Sequence, residues 1–150
     1  MTTAAELLDL TQALVVQMAQ DMRTGLAQLG LTPARAHLLW ELHRDGPMTQ
    51  RELAARLAVS PRNVTGLVDV LEQTRFVTRQ RHPRDRRAIL VTVTAHGDRV
   101  LSGMARDYAD LSRQLFDDLS VEARESYRST VSQLVERFAL WQQSAERGSQ

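Results

Sequence analysis

The stretch RHPRDRR at 81–87 sets Arg81, Arg84, Arg86 and Arg87 around one acid, Asp85. A guanidinium is a planar, permanently charged fork that can pair at two points with a phosphate or with the edge of guanine. Upstream, SPRNVTG at 60–66 puts Arg62 and Asn63 directly behind a Ser-Pro pair. An asparagine amide matches the adenine edge as arginine matches guanine. The chemistry on offer is therefore the gripping and reading of a polyanion. Asp85 among the arginines would repel phosphate, so its expected role is to brace a neighbouring guanidinium or the turn itself.

The charge distribution points the same way. The 150 residues carry a net charge of only +1, with no cysteine. Residues 51–87 hold nine arginines against four acids, a net +5, while the rest holds ten arginines and fourteen acids, a net −4. Such asymmetry implies an anionic partner for the basic part. All 19 basic residues are arginine, but arginine replaces lysine outside the basic segment too, so that choice is not itself a signal. Without cysteine there is no disulfide, thiolate metal site or thiol switch. The start MTTAAELLDL has no basic n-region and no continuous apolar run, and no apolar window reaches spanning length, so a cytoplasmic location off the membrane is the expectation.

The elements that would position these residues follow from spacing. Apolar residues from Leu7 to Leu29 recur with helical period over 4–29, and Gly30 ends that run. Thr32-Pro33 opens a second helix reaching about His43, broken by Asp45-Gly46-Pro47. Thr49 with Glu52 is a capping box opening a short helix. Ser60-Pro61 opens the next, with Val64, Leu67, Val68 and Leu71 as its buried stripe. Two strands are expected at 76–80 and 88–93, so the arginine run occupies the tip of their hairpin. Thr94 and Ser120 cap two further helices, the last over 121–141, and the polar tail 144–150 is expected to fray.

A helix-turn-helix followed by a basic hairpin is a winged helix. The expected fold is mainly α with a small β-hairpin wing, flanked by long dimerisation helices. It is organised as 1–30 (N-terminal dimerisation helix), 31–97 (DNA-binding lobe) and 98–150 (C-terminal dimerisation helices) within one compact domain. The apolar faces of the flanking helices exceed what the winged core covers, which points to a homodimer. Ser60, Arg62, Asn63, Thr65 and Gly66 are the expected major-groove residues. Arg79, Arg84, Arg86 and Arg87 are the expected wing contacts with double-stranded DNA. Gly66 sits mid-helix, where glycine costs roughly 1 kcal/mol against alanine. Close approach to the DNA backbone or to the preceding helix would explain it.

The run LAARLAVSPRNVTGLVDVLEQTRFVTRQRHPRDRRAILVTVTAHG resembles the winged-helix core of MarR-type (multiple antibiotic resistance) transcriptional regulators, strongly over 49–97. The resemblance implies a homodimer on a pseudo-palindromic operator. It also implies release by a small phenolic or anionic molecule held between the dimer helices and the DNA-binding lobe. It makes Arg87 the wing arginine in the groove, Asp69 its brace and Asp85 a shaper of the wing. Two positions depart from the pattern: Ala58 and Arg75 stand where glycine is usual. A left-handed conformation at either costs roughly 1–2 kcal/mol.

Met18, Met22, His37, Trp40, Met104 and Tyr108 are candidate lining for a pocket taking a small aromatic or lipophilic effector, although methionine and aromatic residues at helical spacing more often simply form core. His37, Glu41 and His43 lack the further partner a metal site needs, so no metal or cofactor is assigned. His82 and His96 are given no chemistry. Catalysis has no support, since there is no G-x-S-x-G, P-loop or zincin pattern. Three readings stay open: a ligand-released repressor, a DNA-binding regulator or architectural protein without small-molecule input, and a winged helix that binds protein.

Overall fold

Hydroxyl caps start the helices. In the computed structural model, which describes residues 1–85 and 88–148, Thr3, Thr32, Thr49 and Ser60 are extended in backbone, and their side chains accept from Glu6, Arg35, Glu52 and Asn63 N–H groups. They open α1 (Ala4–Gln28), α2 (Pro33–Asp45), α3 (Gln50–Leu57) and α4 (Pro61–Gln73). Each cap satisfies a donor that the first helical turn leaves without an internal partner. At α3 the cap is reciprocal. Thr49 donates its N–H and hydroxyl to Glu52, and these two bonds hold the Glu52 carboxyl below its ordinary range. The Thr94 hydroxyl accepts from Gly97 N–H at 3.1 Å and opens α5 (Ala95–Phe116). Ser120 does the same for α6 (Val121–Gly148) through Ala123 N–H.

Three antiparallel strands, in the order β1 (Met48–Thr49), β3 (Ile89–Val93), β2 (Val77–Arg81), complete the lobe. Val77 pairs with Val93 and Arg81 with Ile89, and Met48 pairs with Val91. The strand at 48–49 is absent from the sequence reading, because two residues after Pro47 cannot show an alternation. β2 also begins one residue later than expected. Phe76 N–H still belongs to the end of α4, reaching Leu71 O at 2.8 Å. The last helix passes the expected stop at 141 and takes up the tail to Gly148. Polar side chains of the tail donate to backbone carbonyls of the preceding turn, as when Ser144 Oγ donates to Trp141 O at 2.7 Å and Arg147 Nε to Gln143 O at 3.3 Å.

Three helix ends share one device. At Gly30, Ala58 and Arg75 the backbone turns left-handed, with φ of 72°, 52° and 63°. The next N–H then reaches back to Leu26, Ala54 or Leu71. Only the first position has glycine. Ala58 and Arg75 therefore carry the strain that their departure from the family pattern anticipated. Ala58→Gly and Arg75→Gly are each expected to stabilise the fold by about 0.5–1 kcal/mol, the relief of strain being partly offset by a looser unfolded chain. A higher urea midpoint at unchanged slope is the readout, and lower midpoints for both would show the turns to be unstrained.

The chain divides into two compact units, Met1–Met104 and Ala105–Gln150. In the first, Leu38, Leu39, Leu53, Val64, Val68, Leu71, Val77, Val91 and Leu101 are fully buried. Each such side chain contributes roughly 1.5–3 kcal/mol of transfer free energy. This core fastens α2, α3, α4 and the sheet to one another. In the second unit, Phe116 and Tyr127 meet ring on ring, with centroids 5.5 Å apart. Large apolar side chains are left exposed on α1 (Leu7, Leu10, Val15) and on α6 (Val135, Phe138, Trp141). Among the described residues, no helix is long and apolar enough to cross a membrane.

Candidate nucleic-acid interface

The buried stripe of α4 decides which side chains face outward. With Val64, Val68 and Leu71 in the core, Arg62, Asn63, Thr65, Gly66 and Asp69 are exposed. Ser60 is the cap of this helix, its Oγ accepting from Asn63 N–H at 3.2 Å. The Thr65 hydroxyl donates to Pro61 O at 3.0 Å. Arg62 and Asn63 thus carry the outward polar chemistry of the first turn of α4.

Arg79 joins this helix to the hairpin. It was expected among the DNA contacts, yet it lies between two carboxylates of α4. Its Nη2 donates to Asp69 Oδ1 at 2.5 Å, its Nη1 donates to Glu72 Oε2, and its backbone N–H donates to Glu72 Oε1 at 3.0 Å. The side chain is 23% exposed. Burial works against its charge, but its hydrogen bonds to Asp69 and Glu72 outweigh that and hold the guanidinium above its ordinary range. Asp69 was expected to brace Arg87. Arg86 and Arg87 lie outside the described residues, and the partner seen for Asp69 is Arg79. Two residues one turn apart on α4 therefore hold one residue of β2, which fixes the strand's direction relative to the helix.

At the hairpin tip, His82 Nδ1 accepts from the backbone N–H groups of Arg84 and Asp85, both at 3.1 Å. Across the turn, His82 N–H donates to Ala88 O and Ala88 N–H to Asp85 O. The sequence reading gave His82 no role. The only signal was its place before Pro83, where a ring nitrogen acting as acceptor mimics the side-chain turns of aspartate. Arg81 and Arg84 are exposed around this turn.

Other candidates are more dispersed. Trp40 and Met104 are partly buried against the core of the first unit. Met18 and Met22 are exposed on α1, and the His37 side chain is 59% exposed. Tyr108 is exposed in the second unit. Glu41 is a buried carboxylate with side-chain nitrogens on several sides: Arg44 at 2.6 Å, Arg56 at 3.4 Å and His37 at 3.6 Å. Through Arg56 it ties α2 to α3. His43 turns elsewhere, to Asp98 at 3.2 Å. Among the described residues no cluster of His, Asp and Glu is arranged to hold a metal ion.

Residues 31–89 match the model of the MarR family. The HTH-type transcriptional repressor MdtR of Bacillus subtilis is 34% identical over 87 residues, covering 58% of this chain and 56% of that protein. The match thus spans little more than half of that relative. The HTH-type transcriptional regulator YhbI of the same organism is 24% identical over 132 residues, covering 88% of this chain and 86% of that one. The crystal structure of YusO, also from Bacillus subtilis, superposes with a TM-score of 0.77 at 25% identity, covering 90% of this chain and 99% of YusO.

Proposed function

We propose that the chain is a member of the MarR family, whose model matches residues 31–89, and that it is a cytoplasmic, sequence-specific regulator of transcription that binds double-stranded DNA as a homodimer. It is a binding protein and not an enzyme. One observation carries the DNA reading: Arg62 and Asn63 are exposed on the first turn of a helix that Arg79 locks to a basic hairpin. That arrangement suits a recognition helix in the major groove with a wing beside it. Arg84 is the described wing contact, and Arg86 and Arg87 are proposed with it. The exposed apolar faces of α1 and α6 support pairing with a second copy. Pairing of this kind implies half-sites about 10 base pairs apart.

The test separates two kinds of contact. Arg62→Ala is expected to cost roughly 1–3 kcal/mol and to relax discrimination at one or two base pairs. Arg84→Ala is expected to weaken all sequences alike and to reduce the salt slope by about one unit. Equal losses on operator and random duplex for both variants would overturn the groove assignment. Sedimentation should find a dimer, and a soluble monomer that still binds operator would refute the pairing.

In its finer form the function is repression relieved by a small aromatic or lipophilic compound. The repressor sense is supported by the name of MdtR. The effector is supported by Trp40 and Met104, apolar and only partly buried on one core, with Met18, Met22 and His37 as further candidates. Reciprocity requires operator DNA to weaken such a ligand by the factor with which the ligand weakens DNA. Thermal-shift hits with and without operator measure this, and hits indifferent to operator would favour a regulator without small-molecule input.

A further inference from the structure

We propose that Gly66 is a specificity-determining position of α4, admitting the 5-methyl group of a thymine against bare helix backbone. The proposal rests on the DNA-binding role argued above. Gly66 lies in the middle of Pro61–Gln73 and on its exposed side. Glycine is the weakest helix former apart from proline, so a fold without other constraints would favour a different residue there. The usual structural reasons for glycine do not apply. Its φ is not among the positive ones, which for glycine are confined to Gly30 and Gly46 among the described residues. A Cβ built on it would meet nothing within 4 Å, so neither α3 nor the sheet presses against it. The remaining reason for a bare backbone is the close approach of a ligand.

The neighbouring groups narrow the ligand. Gly66 N–H and C=O belong to the hydrogen-bond ladder of the helix, so no free donor greets a phosphate. The Thr65 hydroxyl hydrogen is committed to Pro61 O, and Asp69, one turn further on, is held by Arg79. Arg62 lies one turn before, with Asn63 beside it. The surface is thus a small apolar gap flanked by polar readers. In the major groove the apolar feature on a base edge is the thymine methyl.

The geometry sets up a steric test that removing the methyl should reverse. The consensus operator is first selected from a random duplex library on the wild-type chain. Gly66→Ala and Gly66→Ser are then measured on it, with thermal melting as the fold control. Both variants should fold, with Gly66→Ala melting higher than wild type because alanine favours the helix. Gly66→Ala should bind the consensus about tenfold or more weakly, as expected for one disrupted base contact. Replacing thymine by deoxyuracil at one position of each half-site should restore that loss. Unchanged binding by Gly66→Ala, or a loss that no single uracil restores, would overturn the thymine assignment. If the wild type selected no consensus at all, the DNA-binding reading itself would fall, a different failure.

Discussion

Gly97→Ala is expected to destabilise the chain by about 3 kcal/mol, the upper end for an added methyl group without room. In a domain of this size that lowers the melting temperature by roughly 6–12 °C. Gly97 is buried in the first turn of α5. A Cβ there would overlap the Phe76 carbonyl oxygen and lie 2.8 Å from Val93 Cγ1. The carbonyl cannot readily move aside. It accepts from Thr94 N–H at 3.0 Å and from the Thr94 hydroxyl at 3.2 Å, and the same hydroxyl donates to Arg75 O at 2.5 Å. The start of β2 and the start of α5 are thus laced together where the methyl would enter. Wild-type melting of Gly97→Ala would mean that α5 can slide away from Phe76. The contrast with Gly66→Ala, expected to melt higher, makes the pair of alanine variants a comparison of opposite sign.

Arg79→Met should weaken operator binding by about 2–3 kcal/mol, since it removes charged hydrogen bonds and leaves Asp69 and Glu72 uncompensated beside the proposed DNA face. Asp69→Ala should also weaken binding, although it removes a negative charge from the helix proposed to face DNA. Simple electrostatics predicts tighter binding, so the sign decides. The clamp has Arg79 between Asp69 and Glu72, and losing either end frees the strand that carries the wing. A double-mutant cycle between positions 69 and 79, read on operator affinity, should give an interaction energy above about 0.5 kcal/mol. Tighter binding by Asp69→Ala, or additivity in the cycle, would dismiss the clamp as incidental surface pairing.

Local chemistry was legible in the sequence. Thr32, Thr49, Ser60, Thr94 and Ser120 announce helices because a hydroxyl cap acts within three or four residues. Ala58 and Arg75 could be marked in advance as strained because each stands at a turn where the family pattern has glycine. Partners distant in the chain were harder to read. Arg79 looked like another basic wing residue, and only folding brings it to carboxylates seven and ten positions earlier. Likewise, the pairing of Met48 with Val91 depends on the sheet and not on the two residues of β1. The tail misled for the opposite reason: polarity removes a buried face but does not stop a helix whose side chains bond along it.

The apolar faces left open on α1 and α6 also bear on gene dosage. Under the proposed pairing, the species that reads DNA forms from two chains, so at low abundance its concentration follows the square of chain concentration. Modest changes in synthesis or degradation would then be amplified at the promoter before any effector acts. A cell could silence such a regulator by dilution, as growth outpaces synthesis, and restore it with a small burst of translation.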